Sequence, residues 1–307
     1  MVPFYNFLAL KFNANTILTP LWAATSYWFL KSLETRVISY ALLAGLTAGL
    51  AMLAKYWSGV LIVALFLAAL SYPHRKEYFS SSAPWVTGAV GTLLFLPHLA
   101  WLVTHDFPTL AYAKASHSAL TYGSALQSGL SYLLKVGAYV VFPVLVLIAG
   151  TGSSMISMAD AVWPKDGRRR ALLIAFIVPH VMPILTAIVA KSEVSAVWAI
   201  PTMTLLPVVL LSSPQLAVTR PALDRIVLLA VVFPLAMLLL SPLIALYILK
   251  SGSEGSQAHY RMLAADIEKH WNATIGKPLR FVGGDPPLAY GVAAYLSDRP
   301  LPYVYDR

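Results

Sequence analysis

The sequence predicts an all-α polytopic membrane protein of about eight transmembrane helices, closed by a small α/β appendage at its C-terminal end. Three observations predict it. Of the 307 residues 58% are hydrophobic and only 11% charged, whereas a soluble surface needs about a quarter of the chain to be charged. Mean hydropathy is +0.70. Apolar runs of roughly 17 to 25 residues recur, each able to cross about 30 Å of hydrocarbon. They are continuous rather than alternating, which excludes barrel strands.

The spans read as 16–33, 37–54, 57–72, 84–104, 127–150, 171–190, 194–212 and 226–249. Their connections alternate in character. Lys31 and Arg36 follow the first span, "PHRKEY" the third, "WPKDGRRR" the fifth, and Arg220 and Arg225 the seventh. The positive-inside rule puts these four on the cytoplasmic side. The formal charge of +9 is therefore topological, and no nucleic-acid partner is expected. The opposite side carries "KYW", "HDFPTLAYAKASHSAL", "KSEVSA" and everything after Lys250. The N-terminal residues lack a basic stretch followed by a cleavage site, so no signal peptide is expected. Cysteine is absent, which removes disulfides and thiolate metal sites.

Residues 1–249 form the expected membrane domain and 250–307 the periplasmic appendage. In the latter, "AHYRMLAADIEKHWNAT" has helical spacing, "PLRFVGGD" reads as a strand entering a glycine turn, "PPLAYGVAAYL" as a second helix and "LPYVY" as a second strand. A strand ending in Gly-Gly-Asp suits a binding turn at a sheet edge. No internal repeat is visible.

The outer side holds the residues with chemical potential. Lys55 interrupts about thirty apolar residues and falls in the tight turn between spans two and three, beside Tyr56 and Trp57. An ammonium there either grips a phosphate or snorkels to the interface. At the end of span four, His105 and Asp106 precede Pro108. They can supply general acid–base chemistry or two ligands of a divalent metal ion, or Asp106 can cap backbone amides. The segment after Pro108, with Tyr112 and Lys114, reads as a helix lying in the interface. Lys191 and Glu193 form the turn between spans six and seven; they can pair with each other at little energetic value or hold a sugar or phosphate. Within the spans, His98, Lys135 and His180 are functional suspects. Lys135 lies too deep for easy snorkelling. His180, between Pro179 and Pro183, reads as satisfying carbonyls at a kink.

The stretches "YALLAGLTAGLAMLAKYWSGVL", "FLPHLAWLVTHDFPTLAYAKAS" and "HYRMLAADIEKHW…PLRFVGGDPPLAYGVAAYLSDRP" resemble the bacterial C-type membrane glycosyltransferases, the superfamily of protein O-mannosyltransferases, the lipid A aminoarabinose transferase and rhizobial galacturonosyltransferases. The most specific element is Gly-x-x-x-Gly-Leu-Ala-x-Leu-x-Lys, ending at Lys55. The resemblance implies transfer of a sugar from a polyprenyl-phosphate donor to a lipid or glycan acceptor such as lipopolysaccharide, with inversion, on the periplasmic face of the inner membrane. It implies that Lys55, with Tyr56, Lys135, Lys191, Tyr112 and Lys114 as further binding candidates, holds the lipid-linked phosphate. His105 and Asp106 would face the reaction chamber, with Glu193 a further catalytic candidate. In the superfamily the catalytic aspartate lies in a large outer loop after the first span. Here no Asp or Glu precedes Glu34, so the chain reads as an N-terminally shortened form. Two other classes remain at this point. One is a transporter or lipid flippase, motivated by the intramembrane His98, Lys135 and His180. The other is a non-catalytic binder of lipid phosphates.

Overall fold

Helices α1 (Ala14–Thr35) and α2 (Ile38–Ala54) form an antiparallel hairpin about Arg36, whose backbone is left-handed at φ 62°. The structure, a computed structural model, describes residues 14–117, 121–152, 155–216, 218–250 and 259–304. Helix α3 (Ser58–Ser71) follows the Lys55 turn, and the short α4 (Arg75–Phe79) leads into α5 (Ala83–Thr104). Beyond them lie α6 (Pro108–His117), α7 (Tyr122–Thr151), α8 (Met155–Val162) and α9 (Gly167–Ala190). Two 3₁₀ helices (Ala196–Ala199 and Pro201–Leu205) run into α10 (Leu206–Leu211), and α11 (Arg220–Lys250) ends the apolar part.

The first part of the motif that ends at Lys55 is a packing device. Gly45 and Gly49 lie one turn apart on α2 and let α5 approach so closely that side chains cannot be accommodated. A Cβ at Gly45 would meet the Thr87 carbonyl oxygen at 2.5 Å, and one at Gly49 would meet Leu94 at 2.9 Å. Gly91 on α5 faces the Gly45 backbone in return: a Cβ added there would lie 3.3 Å from the Gly45 carbonyl oxygen. The Thr87 hydroxyl donates across the seam to the Ala41 carbonyl at 3.1 Å. Between membrane helices, where water gives no hydrophobic push, such small-residue contacts and buried hydrogen bonds carry association. On the other side of the bundle α3 packs along α9, and the 3₁₀–α10 rod packs between α1 and α9. Leu18, Trp22, Leu61, Met203 and Leu206 are its buried centre.

Among the described residues, α5, α7, α9 and α11 are long and apolar enough to cross a bilayer. These four support a helical membrane protein but do not by themselves establish the expected count of eight spans. Helices α2 and α3 fall short at 17 and 14 residues, because the Lys55 turn separates them. The expected seventh span is not one helix. Pro201 and Pro207, which lack the N–H that an α-helix needs, break the stretch into 3₁₀ turns and the six-residue α10. Hydropathy registers that stretch as apolar but cannot see that it is broken.

The basic connections gather at one end. Arg36 pairs with Glu77, which also meets His74 Nδ1 at 3.1 Å. Glu34 lies 3.7 Å from Lys31 and 3.6 Å from Arg168. Arg169 Nη1 donates to Asp160 at 2.7 Å, and the Ser213 hydroxyl donates to the same carboxylate at 2.6 Å. Ser213 and Arg169 together hold the Asp160 carboxyl below the usual carboxylate range.

The chain divides into two units, Met1–Val231 and Val232–Arg307, with the boundary inside α11. In the second, α12 (Tyr260–Thr274), β1 (Phe281–Gly284), α13 (Pro286–Tyr295) and β2 (Leu301–Val304) follow the expected order of elements. The strands are parallel, with Phe281 opposite Leu301 and Gly283 opposite Tyr303, so β1-α13-β2 is a single crossover unit. Ala264, Leu279, Val292 and Leu296 form its small core. Gly291 accommodates the Tyr260 ring, which would lie 2.6 Å from an added Cβ.

The glycine seam predicts a contrast. Gly45→Ala forces its methyl against a backbone carbonyl and is expected to lower stability by about 1–3 kcal/mol, the usual range for overpacking. Gly88→Ala meets nothing within 4 Å and is expected to leave the unfolding midpoint in detergent unchanged or raised. Thermal unfolding of the two purified variants checks this.

Candidate functional site

At the opposite end from the ion pairs, the turn after α2 presents Lys55, Tyr56 and Trp57. Three hydrogen bonds fix the turn. The Lys55 amide donates to the Ala51 carbonyl at 3.0 Å. The Ser58 hydroxyl donates to the same carbonyl at 2.8 Å and accepts from the buried Trp22 indole at 3.0 Å. Helix α1 therefore sets the angle at which α3 leaves the turn.

The Lys55 side chain is held from two sides. Its ammonium donates to Asn15 Oδ1 at 2.8 Å and lies 5.2 Å above the centre of the Trp198 ring, a cation–π geometry. Neither partner carries a full negative charge. Burial consequently pushes the lysine down to about 8. A half-buried cation with dipolar partners and no carboxylate is charge-deficient, which suits it to an anion.

Tyr56 joins the turn to α5 and α6. Its hydroxyl bonds His98 Nε2 and lies 3.1 Å from the Thr109 hydroxyl. The His98 ring stacks on Trp101 at 5.5 Å, and Trp101 stacks on His105 at 4.8 Å. Residues 98, 101 and 105 share one face of α5 at helical spacing, so the stack leads from the Lys55 turn to the end of the helix. There His105 Nδ1 lies 2.8 Å from the Trp101 carbonyl oxygen. A carbonyl only accepts, which assigns the proton to Nδ1 and leaves the Nε2 lone pair available as a base. Asp106 and Phe107 follow with successive left-handed backbones, φ 55° and 52°, a conformation rarely adopted by non-glycine residues. Asp106 is exposed, and its side chain makes no hydrogen bond with any described residue; the capping role open to it in the sequence is not the one observed.

The segment 191–198 forms the third wall. Lys191 does not pair with Glu193. Its ammonium sits 5.4 Å over the Tyr122 ring, and Glu193 is exposed with no described partner. The Ser128 hydroxyl donates to the Val194 carbonyl at 3.1 Å and accepts from the Val194 amide at 2.8 Å, which ties the segment to α7. Trp198 stands against Trp57 at 4.6 Å as well as under Lys55.

The structure thus links Tyr56 to His105 through contiguous side chains, places Lys55 next to Tyr56 in the same turn, and sets Lys191 in the segment that also carries Trp198. Tyr112 is exposed on α6, and the Lys114 side chain lies outside the described residues. Lys135 stands on a separate face of α7. His180 donates from Nδ1 to the Phe176 carbonyl at 2.7 Å inside the bundle. Sequence reasoning missed Asn15 and Trp198, the two residues that hold Lys55. Asn15 sits in the polar run "FNANT", a visible if unspecific signal; Trp198 had none beyond being aromatic. Among the described residues no three His, Cys, Asp or Glu side chains converge as metal ligands would.

An apolar cleft of about 530 Å³ opens between α2, α3 and α5, with Tyr78 and Trp85 at its inner end. A second hollow of about 260 Å³ continues it past Gly91 to Phe95 and Leu99. The two share Ala48, Ile62, Thr87 and Gly88. The cleft's outer end therefore stands beside the Lys55 turn: Met52 lines it, and Phe95 contacts the Tyr56 ring at 6.1 Å.

Residues 1–101 match the sequence profile of the dolichyl-phosphate-mannose-protein mannosyltransferase family. A stretch of 111 residues, 36% of the chain, is 33% identical to the lipopolysaccharide core galacturonosyltransferase RgtB of Rhizobium johnstonii. The chain spans about a fifth of that relative's length (21%). No solved structure matches. The family profile covers Lys55, Tyr56, His98 and the glycine seam, so the similarity includes the turn after α2.

The lowered Lys55 value predicts unusual reactivity. At pH 8 about half of this amine is neutral, against well under 1% of an ordinary lysine with a pKa near 10.4. Acylation of intact protein, followed by peptide mass spectrometry, is expected to label Lys55 with a midpoint near pH 8. A midpoint near 10 would remove the burial argument.

Proposed function

We propose that this chain is part of a polyprenyl-phosphate-sugar-dependent glycosyltransferase. It moves a sugar to an envelope acceptor, lipopolysaccharide or a similar lipid, on the periplasmic face of a bacterial inner membrane. In this reading the polypeptide crosses the bilayer about eight times, with α1, α2, α3 and the 3₁₀–α10 rod completing the bundle, and the module after Lys250 is periplasmic. The observation that carries the proposal is the half-buried ammonium of Lys55 at the outer end of a lipid-sized apolar cleft. An isoprenoid phosphate has that same division, a long apolar chain ending in an anion.

The chemistry follows from the donor. The acceptor hydroxyl attacks the anomeric carbon. The bond from that carbon to the phosphate oxygen breaks, and its electron pair stays on the departing phosphate. Lys55 stabilises that growing charge, and the Trp198 ring and the Asn15 carbonyl oxygen keep the ammonium in place before the phosphate arrives. The hydroxyl proton goes to a base. His105 Nε2, with Asp106 beside it, is the base candidate in this chain, because its lone pair is fixed by the Nδ1 bond to Trp101. Glu193 is the other exposed carboxylate in the outer connections before Lys250. Lys191, and Tyr112 on α6, stand at the entrance and meet the sugar or the interface, and Lys114 of α6 is a further binding candidate.

Binding to the ammonium gives a definite pH sign. Since the lysine titrates at about 8 in the free protein, donor affinity is full below that pH and falls as pH rises through it. In membranes containing the natural full-length protein, Lys55→Ala is expected to cut transfer of radiolabelled sugar by about 10²-fold, the scale seen on losing one charge-stabilising donor. Lys55→Arg is expected to retain more activity and to abolish the fall above pH 8. Unchanged transfer in Lys55→Ala would exclude this role for the residue.

A further inference from the structure

Helix α7 carries two parallel ridges that the site around Lys55 does not use. Gln127, Ser131 and Lys135 recur every four residues, and Leu126, Leu130 and Leu134 run beside them one position earlier. Together they line an open groove of about 510 Å³. Among the described residues none of the three polar side chains has a hydrogen-bond or ionic partner. The leucines are 50%, 54% and 77% exposed.

The depth of Lys135 makes this arrangement costly if lipid tails fill the groove. Helices α7 and α9 are antiparallel: Ser128 bonds Val194 beyond the outer end of α9, and Gly129 lies against Ile184. Lys135 is six residues further along α7, about 9 Å at 1.5 Å per residue. That brings it level with Val178, near the middle of Gly167–Ala190. A lone ammonium near the centre of a span is costly and as a rule faces a polar cavity or a partner. Side chains on a helix lean toward its N-terminus, here the outer end, so the ammonium is drawn toward Ser131 and Gln127. The outcome is a cation, a hydroxyl and a carboxamide in line beside an apolar ridge.

We infer that this groove binds a second anionic lipid, with its phosphate on Lys135, Ser131 and Gln127 and an acyl chain along Leu126, Leu130 and Leu134. Charge complementarity selects the headgroup, and the leucine ridge selects an amphiphile over a free anion. The site is separate from Lys55: none of the residues lining the groove is a contact of that lysine. Naming its occupant the phosphorylated lipid acceptor rests on the transferase reading; the lipid site itself does not.

The test uses the full chain in lipid nanodiscs, with dioleoyl phosphatidic acid and dioleoyl phosphatidylcholine as probes and native mass spectrometry as the readout. Wild type and Lys55→Ala are expected to retain phosphatidic acid at least tenfold over phosphatidylcholine. Lys135→Gln is expected to lose that preference, and Lys135→Arg to keep it. A benzoylphenylalanine at position 130 is expected to cross-link to lipid. Equal retention of both lipids by wild type, or an undiminished preference in Lys135→Gln, overturns the inference. So does a cross-link from position 130 to polypeptide, which would make the occupant another helix, or displacement of the lipid by millimolar inorganic phosphate. If Lys55→Ala abolishes retention and Lys135→Gln does not, the phosphate sits at Lys55; this inference then fails while the proposed function stands.

Discussion

The close approach of α2 to α5 is the constraint on which the rest depends. Gly45, Gly49 and Gly91 remove the side chains that would hold the two helices apart, and the Thr87 hydroxyl closes the seam on the Ala41 carbonyl. This contact fixes the direction in which α2 delivers Lys55 and the register at which Tyr56 meets His98. It also sets one wall of the apolar cleft, since Gly88 and Gly91 line the hollow beside the seam. The spacing of two glycines and a lysine along one helix thus builds a packing surface and ends it with a charge.

A lysine with a carboxylate partner would be neutralised and of little use to an anion. Here the partners are an amide oxygen and an indole face, which orient the ammonium without cancelling its charge. Both come from elsewhere in the chain, Asn15 from the start of α1 and Trp198 from the 3₁₀ segment. That segment is broken by Pro201, and the break lets it carry Trp198 under Lys55 while Val194 is clasped by Ser128 of α7. The irregular backbone that defeats a simple count of spans is the part that assembles the wall of the site.

How much was legible in the sequence follows from the range of each interaction. Lys55 stood out because a charge inside an apolar run conflicts with hydropathy at short range. The hairpin ends at Arg36 and Lys55, and the strand and helix order around Gly284, were readable for the same reason, since turns and periodicity are local. The partners of Lys55 were not readable, because contacts between residues so far apart in sequence leave no local pattern. The polar ridge of α7 was half visible: Lys135 was noticed, but Gln127 and Ser131 gain meaning only once their helical phase and unpaired state are known. Of the two arrangements open to Lys191 in the sequence, an ion pair with Glu193 is not the one observed. The left-handed residue that ends α9 turns Lys191 onto Tyr122 instead.

Under the proposed function, the outer end of the cleft between α2, α3 and α5 receives the phosphate of an isoprenoid lipid. Photo-cross-linking of the nanodisc-embedded chain with two polyprenyl phosphates, one with a diazirine next to the phosphate and one with it far along the chain, tests this most directly. The first is expected to label residues 52–62 and 95–101, and the second cleft residues between 62 and 89. Labelling of the same peptides by both probes, or labelling confined to α7, α9 or α11, would contradict it.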